Sequence, residues 1–108
     1  MPRILDSFYE PVYSVVEQIP CGKVLSYKSV AILSGYPQYA RQVGYALKVV
    51  PRSRDIPCHR VVNNYGRLVP HWAEQKELLL REGVVFTVKG NVDMKKSAWL
   101  YNDMEDIE

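Results

Sequence analysis

A thiol, an imidazole and a guanidinium stand side by side in this chain at Cys58, His59 and Arg60, directly after Pro57. A free cysteine thiol has a pKa of about 8.5, and only its thiolate is a strong nucleophile. Because a cationic neighbour or a general base raises the thiolate fraction at neutral pH, these residue types suit nucleophilic chemistry at sulfur. They also fit a second interpretation, in which Cys58 is a small apolar residue of a buried strand and its two neighbours face solvent.

The composition restricts the class of protein. The 108 residues, of which 47% are hydrophobic and 24% charged, are typical of one globular domain with a modest core. No apolar run approaches the ~20 residues of a membrane span, and the N-terminus lacks the apolar core of a signal peptide. The two cysteines, Cys21 and Cys58, and the two histidines form neither a disulfide framework nor a metal-ligand spacing. We therefore expect a metal-free protein of a reducing, intracellular compartment.

The net charge of +2 understates how basic most of the chain is. Four of the twelve acidic residues fall within the last seven positions, at Asp103, Glu105, Asp106 and Glu108. Without them the count is 14 − 8 = +6, so we predict one basic domain over residues 1–101 and a loose acidic tail over 102–108. A basic domain favours a polyanionic partner, although many basic domains bind nothing in particular.

The N-terminal stretch predicts an amphipathic helix that faces the core. Its apolar residues keep helical spacing at Leu5, Phe8, Tyr9, Val12, Val15, Val16 and Ile19. Ser7 and Glu10 resemble a capping box, which would place Pro11 near the first turn, where a proline costs less than in a helix interior.

Two short helices are predicted next. Ser26 is a suitable N-cap for a helix from Tyr27 to about Ser34, and Gly35 a suitable C-terminal glycine. Pro37 suits the first turn of a third helix, whose apolar stripe is Ala40, Val43, Leu47 and Val50. Its other side carries Gln38, Arg41, Gln42, Tyr45 and Lys48, with Gly44 among them. This arrangement predicts a helix-turn-helix, and a generic helix pair with a solvated face is the alternative.

The second half of the chain predicts shorter elements. The Cys58 stretch continues into Val61 and Val62 and ends in a turn over residues 63–66. A helix from Glu74 to Arg81, which buries Leu78 and Leu79, closes at Gly83, and residues 84–94 predict a hairpin. Together the elements predict an α+β fold, mostly α: a winged-helix-like DNA-binding domain with a helix-turn-helix and small β-hairpins.

Five segments, in this order, resemble the C-terminal domain of the O6-alkylguanine-DNA alkyltransferases and the related alkyltransferase-like proteins. Together they span about residues 8–90, most of the chain, and they are Ile19–Val24, Ser26-Tyr27, Ala40–Gly44 with Ala46-Leu47, Pro57–Val62 and Leu79–Gly83. The resemblance implies repair by direct reversal, in which the protein binds the minor groove, rotates an alkylated guanine out of the stack and takes its alkyl group. The protein is consumed by this reaction and needs no cofactor.

The resemblance also assigns roles to residues. Cys58 matches the alkyl acceptor, His59 the base that takes the thiol proton through a water, and Glu82 the carboxylate that orients this histidine. Arg41 matches the arginine that fills the space left by the flipped base, and Tyr27 the tyrosine that crowds the 3′ phosphate. The predicted DNA contacts are Tyr27, Gln38, Arg41, Gln42, Gly44, Tyr45, Lys48 and Arg60, of which Tyr45 is bulkier than the resemblance leads us to expect.

Two stretches depart from the pattern of active alkyltransferases. Val50 stands before Pro51, where these proteins carry an asparagine hinge. The segment Arg67–Trp72 is shorter than their lid and lacks its glycines and tyrosine. A single short domain with a reduced lid is typical of the alkyltransferase-like proteins, which bind the lesion without an acceptor cysteine and pass it to nucleotide excision repair. We predict a substrate pocket at Pro57, Val69 and Trp72, with Trp72 or His71 replacing part of the lid.

Three hypotheses follow. The first, which we favour, is an alkyl acceptor that acts once through Cys58, and the second is a lesion sensor without transfer. The third is a winged-helix regulator without lesion chemistry. In the first two, the partner is double-stranded DNA containing O6-alkylguanine, with nucleotide excision repair proteins as further candidates. We expect a monomer without a membrane partner, in the cytoplasm, with the nucleoid in a prokaryote or the nucleus in a eukaryote as its place of action.

Overall fold

The computed structural model describes residues 2–99, with side chains from Phe8 onward. Within this range the elements are α1 (Pro2–Glu17), β1 (Leu25–Ser26), α2 (Tyr27–Leu33), α3 (Ala40–Lys48), a 3-10 turn (Cys58–Arg60), β2 (Val61–Val62), α4 (Ala73–Arg81) and α5 (Met94–Ser97). The fold is therefore mostly helical with a small β component, as predicted. The predicted acidic tail, residues 102–108, lies outside the described range.

Helix α1 begins earlier than predicted. It already includes Pro2, so Pro11 lies in the helix interior, and the predicted capping box at Ser7 is wrong. Pro11 has no N–H to donate to the preceding turn. The helix continues through it because Phe8, Val12 and Val16 are fully buried on its inner face. No helix in the described range has the length and apolar character needed to cross a membrane.

The first three helices share the larger of two apolar clusters. From α1 it includes Phe8, Val12 and Val16, and from α2 and α3 Val30, Ala31, Val43 and Ala46. A buried hydrogen bond joins the outer two helices, because the Tyr13 hydroxyl donates to the Ala46 carbonyl oxygen at 2.7 Å. The orientation of α3 is thus determined by α1 as well as by α2.

The corner between α2 and α3 follows the predicted chemistry, with one exception. The Ser26 hydroxyl caps α2 by accepting from the Ser29 amide at 3.0 Å. After α2, Gly35 adopts a positive φ of 92°, a backbone conformation that glycine reaches without a steric penalty. Pro37 lies in the connecting turn and not in the first turn of α3, since α3 begins only at Ala40.

A two-stranded parallel sheet brings the α2 N-terminus to the cysteine segment. Leu25 pairs with Val61 and Ser26 with Val62, and both strands are buried. The pairing places Tyr27, the first residue of α2, near Cys58. The interpretation of Cys58 as a strand residue is wrong, because residues 58–60 form a 3-10 turn that precedes β2.

A second, smaller apolar cluster supports the C-terminal part. It consists of Val24, Val62, Leu79, Val84 and Val92. In α4 the fully enclosed side chains are Gln75 and Leu79, whereas Leu78, predicted to be buried, is only half-buried. The predicted hairpin is reduced to one antiparallel bridge between Phe86 and Val92, because Asp93 caps the short helix α5 where a second strand was expected.

Replacing Tyr13 with Phe removes the hydrogen bond between α1 and α3 while keeping the buried ring. We expect the free energy of unfolding to fall by about 1 kcal/mol, the net value of a typical intramolecular hydrogen bond. Urea denaturation measures this change. Tyr65→Phe is the matched control because Tyr65 is 78% exposed, and an equal loss in both variants would contradict a specific role for the Tyr13 hydroxyl.

Candidate functional site

A cleft of about 510 Å³ opens beside the cysteine segment. This Cys58 cleft is lined by Tyr27 from α2, by Gly44, Leu47 and Lys48 from α3, by Cys58, and by Val69, Pro70 and Trp72 from the segment before α4. Its volume is in the range of small-molecule sites, and its walls are mainly apolar and aromatic. Six of the predicted site residues therefore lie together, although they come from four separate parts of the chain.

A second cleft adjoins the first. This flanking cleft, about 350 Å³, is lined by Tyr27, Ala40, Arg41 and Gly44. Tyr27 and Gly44 line both clefts, so they lie between the exposed side chain of Arg41 and the interior of the Cys58 cleft. A Cβ atom at Gly44 would lie 3.8 Å from Cε1 of Tyr27. Gly44 therefore lies directly beside the Tyr27 ring, and it adds no side chain of its own to the surface between the two clefts.

One side of α3 carries the predicted DNA contacts. Arg41, Gly44, Tyr45 and Lys48, at spacings of three, one and three, lie on one face of the helix. In this α3 face the Tyr45 side chain is 53% exposed, and Arg41 and Lys48 are also exposed. Gln42 is half-buried on α3, and Gln38 is exposed in the turn that precedes the helix.

Cys58 is half-buried and faces the cleft, and its surroundings do not activate it. Burial raises the pKa of the Cys58 thiol above its usual range. The sulfur contacts the Leu47 carbonyl oxygen at 4.0 Å, and no direct hydrogen bond joins it to His59 among the described residues. The thiol is therefore protonated at neutral pH and becomes a nucleophile only when a base removes its proton.

The carboxylate of Glu82 organises the residues next to Cys58. Its Oε2 lies 2.7 Å from Nε2 of His59. Arg60 donates from Nε to Oε1 at 2.9 Å and from Nη2 to Oε2 at 2.8 Å. These hydrogen bonds, with that from Arg60 the strongest, lower the pKa of Glu82 to about 2. The structure thus joins the predicted histidine and glutamate directly.

Arg60 was predicted to contact DNA, and the structure places it inside this network. Its remaining nitrogen, Nη1, donates to the Ile19 carbonyl oxygen at 2.7 Å, so each guanidinium nitrogen has a partner within the protein. The side chain is 17% exposed. These contacts connect Arg60 to Glu82 and to the segment before β1, so it positions the cysteine turn.

Pro57, predicted to line the substrate pocket, does not line the Cys58 cleft. Together with His59 and Leu78 it lines a separate cleft.

Gln75 is a functional candidate that the sequence analysis missed. It is fully buried, and its Oε1 accepts from the Val69 amide at 2.7 Å. Its Nε2 donates to the carbonyl oxygens of His59 at 3.1 Å and Val61 at 3.2 Å. This side chain therefore ties the outer wall of the cleft to the cysteine segment. A polar residue four positions before Leu79 on the inner side of α4 was the available signal.

Arg54 was also missed, because residues 52–55 looked like a simple polar loop. Its guanidinium donates to Glu10 at 2.9 Å and to Glu17 at 3.0 Å, both on α1, and lies 5.4 Å from the Tyr13 ring centroid. These contacts attach the loop before Cys58 to the first helix. Arg54 lies four residues after Val50, which stands at the position where the active alkyltransferases carry an asparagine hinge.

The segment that replaces the lid is short and conformationally restricted. Trp72 lines the cleft directly before α4, and Val69 lines it beside Pro70. Between them His71 adopts a φ of 65°, a left-handed conformation that is uncommon for residues other than glycine. His71 is exposed and does not line the cleft, so of the two residues predicted to replace part of the lid only Trp72 lines it.

Comparison with known sequences identifies relatives of this chain. Residues 7–84 match the family model described as 6-O-methylguanine DNA methyltransferase, DNA binding domain. A DNA base-flipping protein of Escherichia coli is 41% identical over 99 residues, which cover 89% of this chain and 77% of the relative. Alkyltransferase-like protein 1 of Schizosaccharomyces pombe is 41% identical over 85 residues, 74% of this chain and 79% of the relative. A methylated-DNA–protein-cysteine methyltransferase of Salmonella typhimurium is 40% identical over 76 residues, 68% of this chain but 44% of the relative.

Solved structures give the same result. The fold is similar to that of S. pombe Atl1 in complex with damaged DNA containing O6-carboxymethylguanine, with a TM-score of 0.77 and 36% identity over 88% of this chain and 96% of that one. It is also similar to Mycobacterium tuberculosis OGT in complex with DNA, with a TM-score of 0.62 and 32% identity over 69% of this chain and 48% of that one. Proteins solved in complex with DNA thus share this fold.

Replacing Glu82 with Gln removes the charge that holds His59 and Arg60. Because the pKa of Glu82 is lowered from 4.5 to about 2, its contribution to stability is fully present above pH 4.5 and is lost as the pH falls towards 2. We expect Glu82→Gln to lower the free energy of unfolding near neutral pH by about 2 kcal/mol, less than the roughly 3–5 kcal/mol of a fully buried pair.

Urea denaturation from pH 7 down to pH 2.5 measures this effect. The difference between wild type and Glu82→Gln should narrow below pH 4.5. Glu77→Gln is the control, since Glu77 lies on the exposed side of α4 in a loose 3.7 Å ion pair with Arg81. A difference that stays constant down to pH 2.5 would show that the charge of Glu82 is not what stabilises the site.

Proposed function

Because this chain belongs to the family of the 6-O-methylguanine DNA methyltransferase DNA-binding domain, we propose that it recognises O6-alkylguanine in duplex DNA by base flipping. In this proposal the flipped base occupies the Cys58 cleft. The observation that carries it is the contact between two clefts. The flanking cleft, beside Arg41, adjoins the Cys58 cleft through the shared residues Tyr27 and Gly44. A base that leaves the stack beside Arg41 therefore has a short path to the site.

The α3 face suits close docking in a groove of DNA. Gly44 has no side chain, and Arg41 and Lys48 at either end of the face have no ion-pair partner in the part of the chain that the structure describes. A free guanidinium is planar and can stack in the space that a flipped base leaves, which offsets part of the roughly few kcal/mol of unstacking. Tyr45 is exposed on the same face and would contact the backbone or the groove edge.

The walls of the Cys58 cleft suit an alkylated base. Tyr27 and Trp72 offer aromatic surfaces on which a base can stack, a contact worth about 1–3 kcal/mol per base. Val69, Pro70 and Leu47 offer an apolar surface to the alkyl group. Because the lid segment is short and the cleft is open, we expect adducts larger than methyl to be accepted. The similar S. pombe protein was crystallised with DNA that carries a carboxymethyl adduct.

Transfer of the alkyl group to Cys58 is a second candidate function, favoured because Cys58 itself lines the cleft. The sulfur would attack the alkyl carbon in line, the bond from this carbon to O6 would break, and O6 would keep the electron pair. The thiol proton, removed by His59 through a water, would return to the guanine ring, so no cofactor is consumed. The hydrogen bond to Glu82 orients the imidazole for this step.

Recognition without transfer places fewer demands on the site, because the raised pKa of Cys58 opposes formation of the thiolate. In that case the bound lesion would be passed to nucleotide excision repair proteins, which we propose as partners. Recognition of the lesion and transfer of its alkyl group both require the protein to act in the compartment that contains the DNA. A regulator without lesion chemistry would bind damaged and undamaged duplexes equally.

Arg41→Ala tests recognition by base flipping. We expect the affinity for an O6-methylguanine duplex to fall about tenfold and that for undamaged duplex to fall much less, because only the lesion complex has a vacated stack to fill. Fluorescence anisotropy at fixed salt measures both affinities, since all DNA binding weakens as salt rises.

Lys89→Ala, in the turn after Phe86 and outside both clefts, is the matched control. An equal loss on both duplexes in Arg41→Ala would make Arg41 a phosphate contact only. Equal affinity of the wild type for damaged and undamaged DNA would overturn the proposed function.

Intact-protein mass spectrometry after incubation with O6-methylguanine DNA tests transfer. We expect one added methyl group on the Cys58 peptide, none in Cys58→Ala, and an unchanged result in Cys21→Ser. Because the pKa of the Cys58 thiol is raised, the rate should rise with pH, by about tenfold per unit between pH 7 and 8.5, as the thiolate fraction grows. An unchanged mass with retained lesion binding would leave recognition as the sole function.

A further inference from the structure

We propose that Lys48 makes the Cys58 cleft selective for O6-alkyl groups that end in a carboxylate. This inference rests on the proposed binding of O6-alkylguanine and names the class of adduct. Lys48 is the last residue of α3, and it belongs to the lining of the Cys58 cleft as well as to the α3 face. It was predicted only as a DNA contact, and its place in the cleft gives it a second function.

The charge of the Cys58 cleft comes from Lys48. Among the described lining residues Lys48 alone has a charged side chain, and none is acidic. Glu82, the carboxylate that contacts the cysteine turn, is held by His59 and Arg60, and it does not line the cleft. A negatively charged adduct therefore meets one cation and no lining anion.

The Lys48 ammonium is available to bind a ligand. Two other cations are already paired, Arg54 with Glu10 and Glu17 and Arg60 with Glu82. Arg41 is unpaired among the described residues, but it lines the flanking cleft and not the Cys58 cleft. In the described range Lys48 has neither an ion pair nor a side-chain hydrogen bond, and its side chain is exposed at the rim. It can therefore offer three donors to a ligand carboxylate without breaking an internal contact.

Lys48 also lies next in sequence to a residue that contacts Cys58. The preceding residue, Leu47, places its carbonyl oxygen 4.0 Å from the Cys58 sulfur, so Lys48 begins beside the part of the cleft that faces the sulfur. An alkyl group on O6 must point to this part if it is to approach Cys58. A carboxylate one bond beyond the first alkyl carbon then lies within reach of a flexible four-carbon lysine stem.

The contribution is expected to be moderate because the cleft is open to water. Charge-assisted hydrogen bonds are stronger than neutral ones, whereas exposed ion pairs are weak. We expect O6-carboxymethylguanine to bind about fivefold more tightly than O6-carbamoylmethylguanine, its neutral counterpart of nearly the same shape. An adduct that ends in an ammonium group should bind more weakly than either.

The experiment compares duplexes with these two lesions and an undamaged duplex, by fluorescence anisotropy at fixed salt, with the wild type, Lys48→Met and Lys48→Arg. The measurements are repeated in Cys58→Ala, so that transfer cannot consume the lesion. Lys48→Met should abolish the preference for the carboxymethyl lesion, and Lys48→Arg should retain it. Circular dichroism checks that each variant folds, which we expect because Lys48 is exposed.

The outcomes separate this inference from the proposed function. If Lys48→Met weakens binding of all three duplexes by the same factor, Lys48 is a phosphate contact and the selectivity is overturned. Equal binding of the two lesions by the wild type overturns it as well, while tighter binding of both lesions than of undamaged DNA still supports base flipping. If neither lesion is bound better than undamaged DNA, both the inference and the proposed function fail.

Discussion

The carboxylate shared by His59 and Arg60 is the interaction on which the rest of the site depends. Glu82 is the C-cap of α4, and its two oxygens hold consecutive residues of the 3-10 turn at 2.7–2.9 Å. Arg60 extends this connection to the carbonyl of Ile19, directly before the turn that leads to β1. The pair formed by Glu82 and Arg60 thereby joins α4, the cysteine turn and the segment that follows α1.

The pairing of Arg60 with Glu82 also separates the reactivity of Cys58 from the proposed recognition of a base. Arg60 stands two residues after Cys58, but its charge is neutralised by Glu82 and does not favour a thiolate. Burial in a cleft that can hold a base raises the pKa of the Cys58 thiol further from neutrality. Stacking on Tyr27 or Trp72 requires no thiolate. The proposed recognition of a base therefore makes no demand on the thiol, whereas chemistry at sulfur requires a proton acceptor in addition.

Local signals predicted most helices and the corner between α2 and α3, and the family resemblance pointed to Tyr27, Cys58 and the segment that carries Trp72. They failed where distant packing decides. Helix α1 continues through Pro11 because Phe8 and Val12 are buried against other helices, and sequence spacing alone does not reveal this. The internal pairing of Arg60 spans 22 residues to Glu82, and periodicity carries no information about such a contact. Gln75 was overlooked for the same reason.

The hydrogen bonds of Gln75 limit the movement of the outer wall of the Cys58 cleft. Through Val69 on one side, and His59 and Val61 on the other, one buried amide makes the outer wall of the cleft continuous with the segment that carries the cysteine. Swinging this wall outward would leave several buried polar groups without partners. This wall is therefore expected to stay in place. In the proposed function, the deformation that brings a base into the cleft would then come from the DNA.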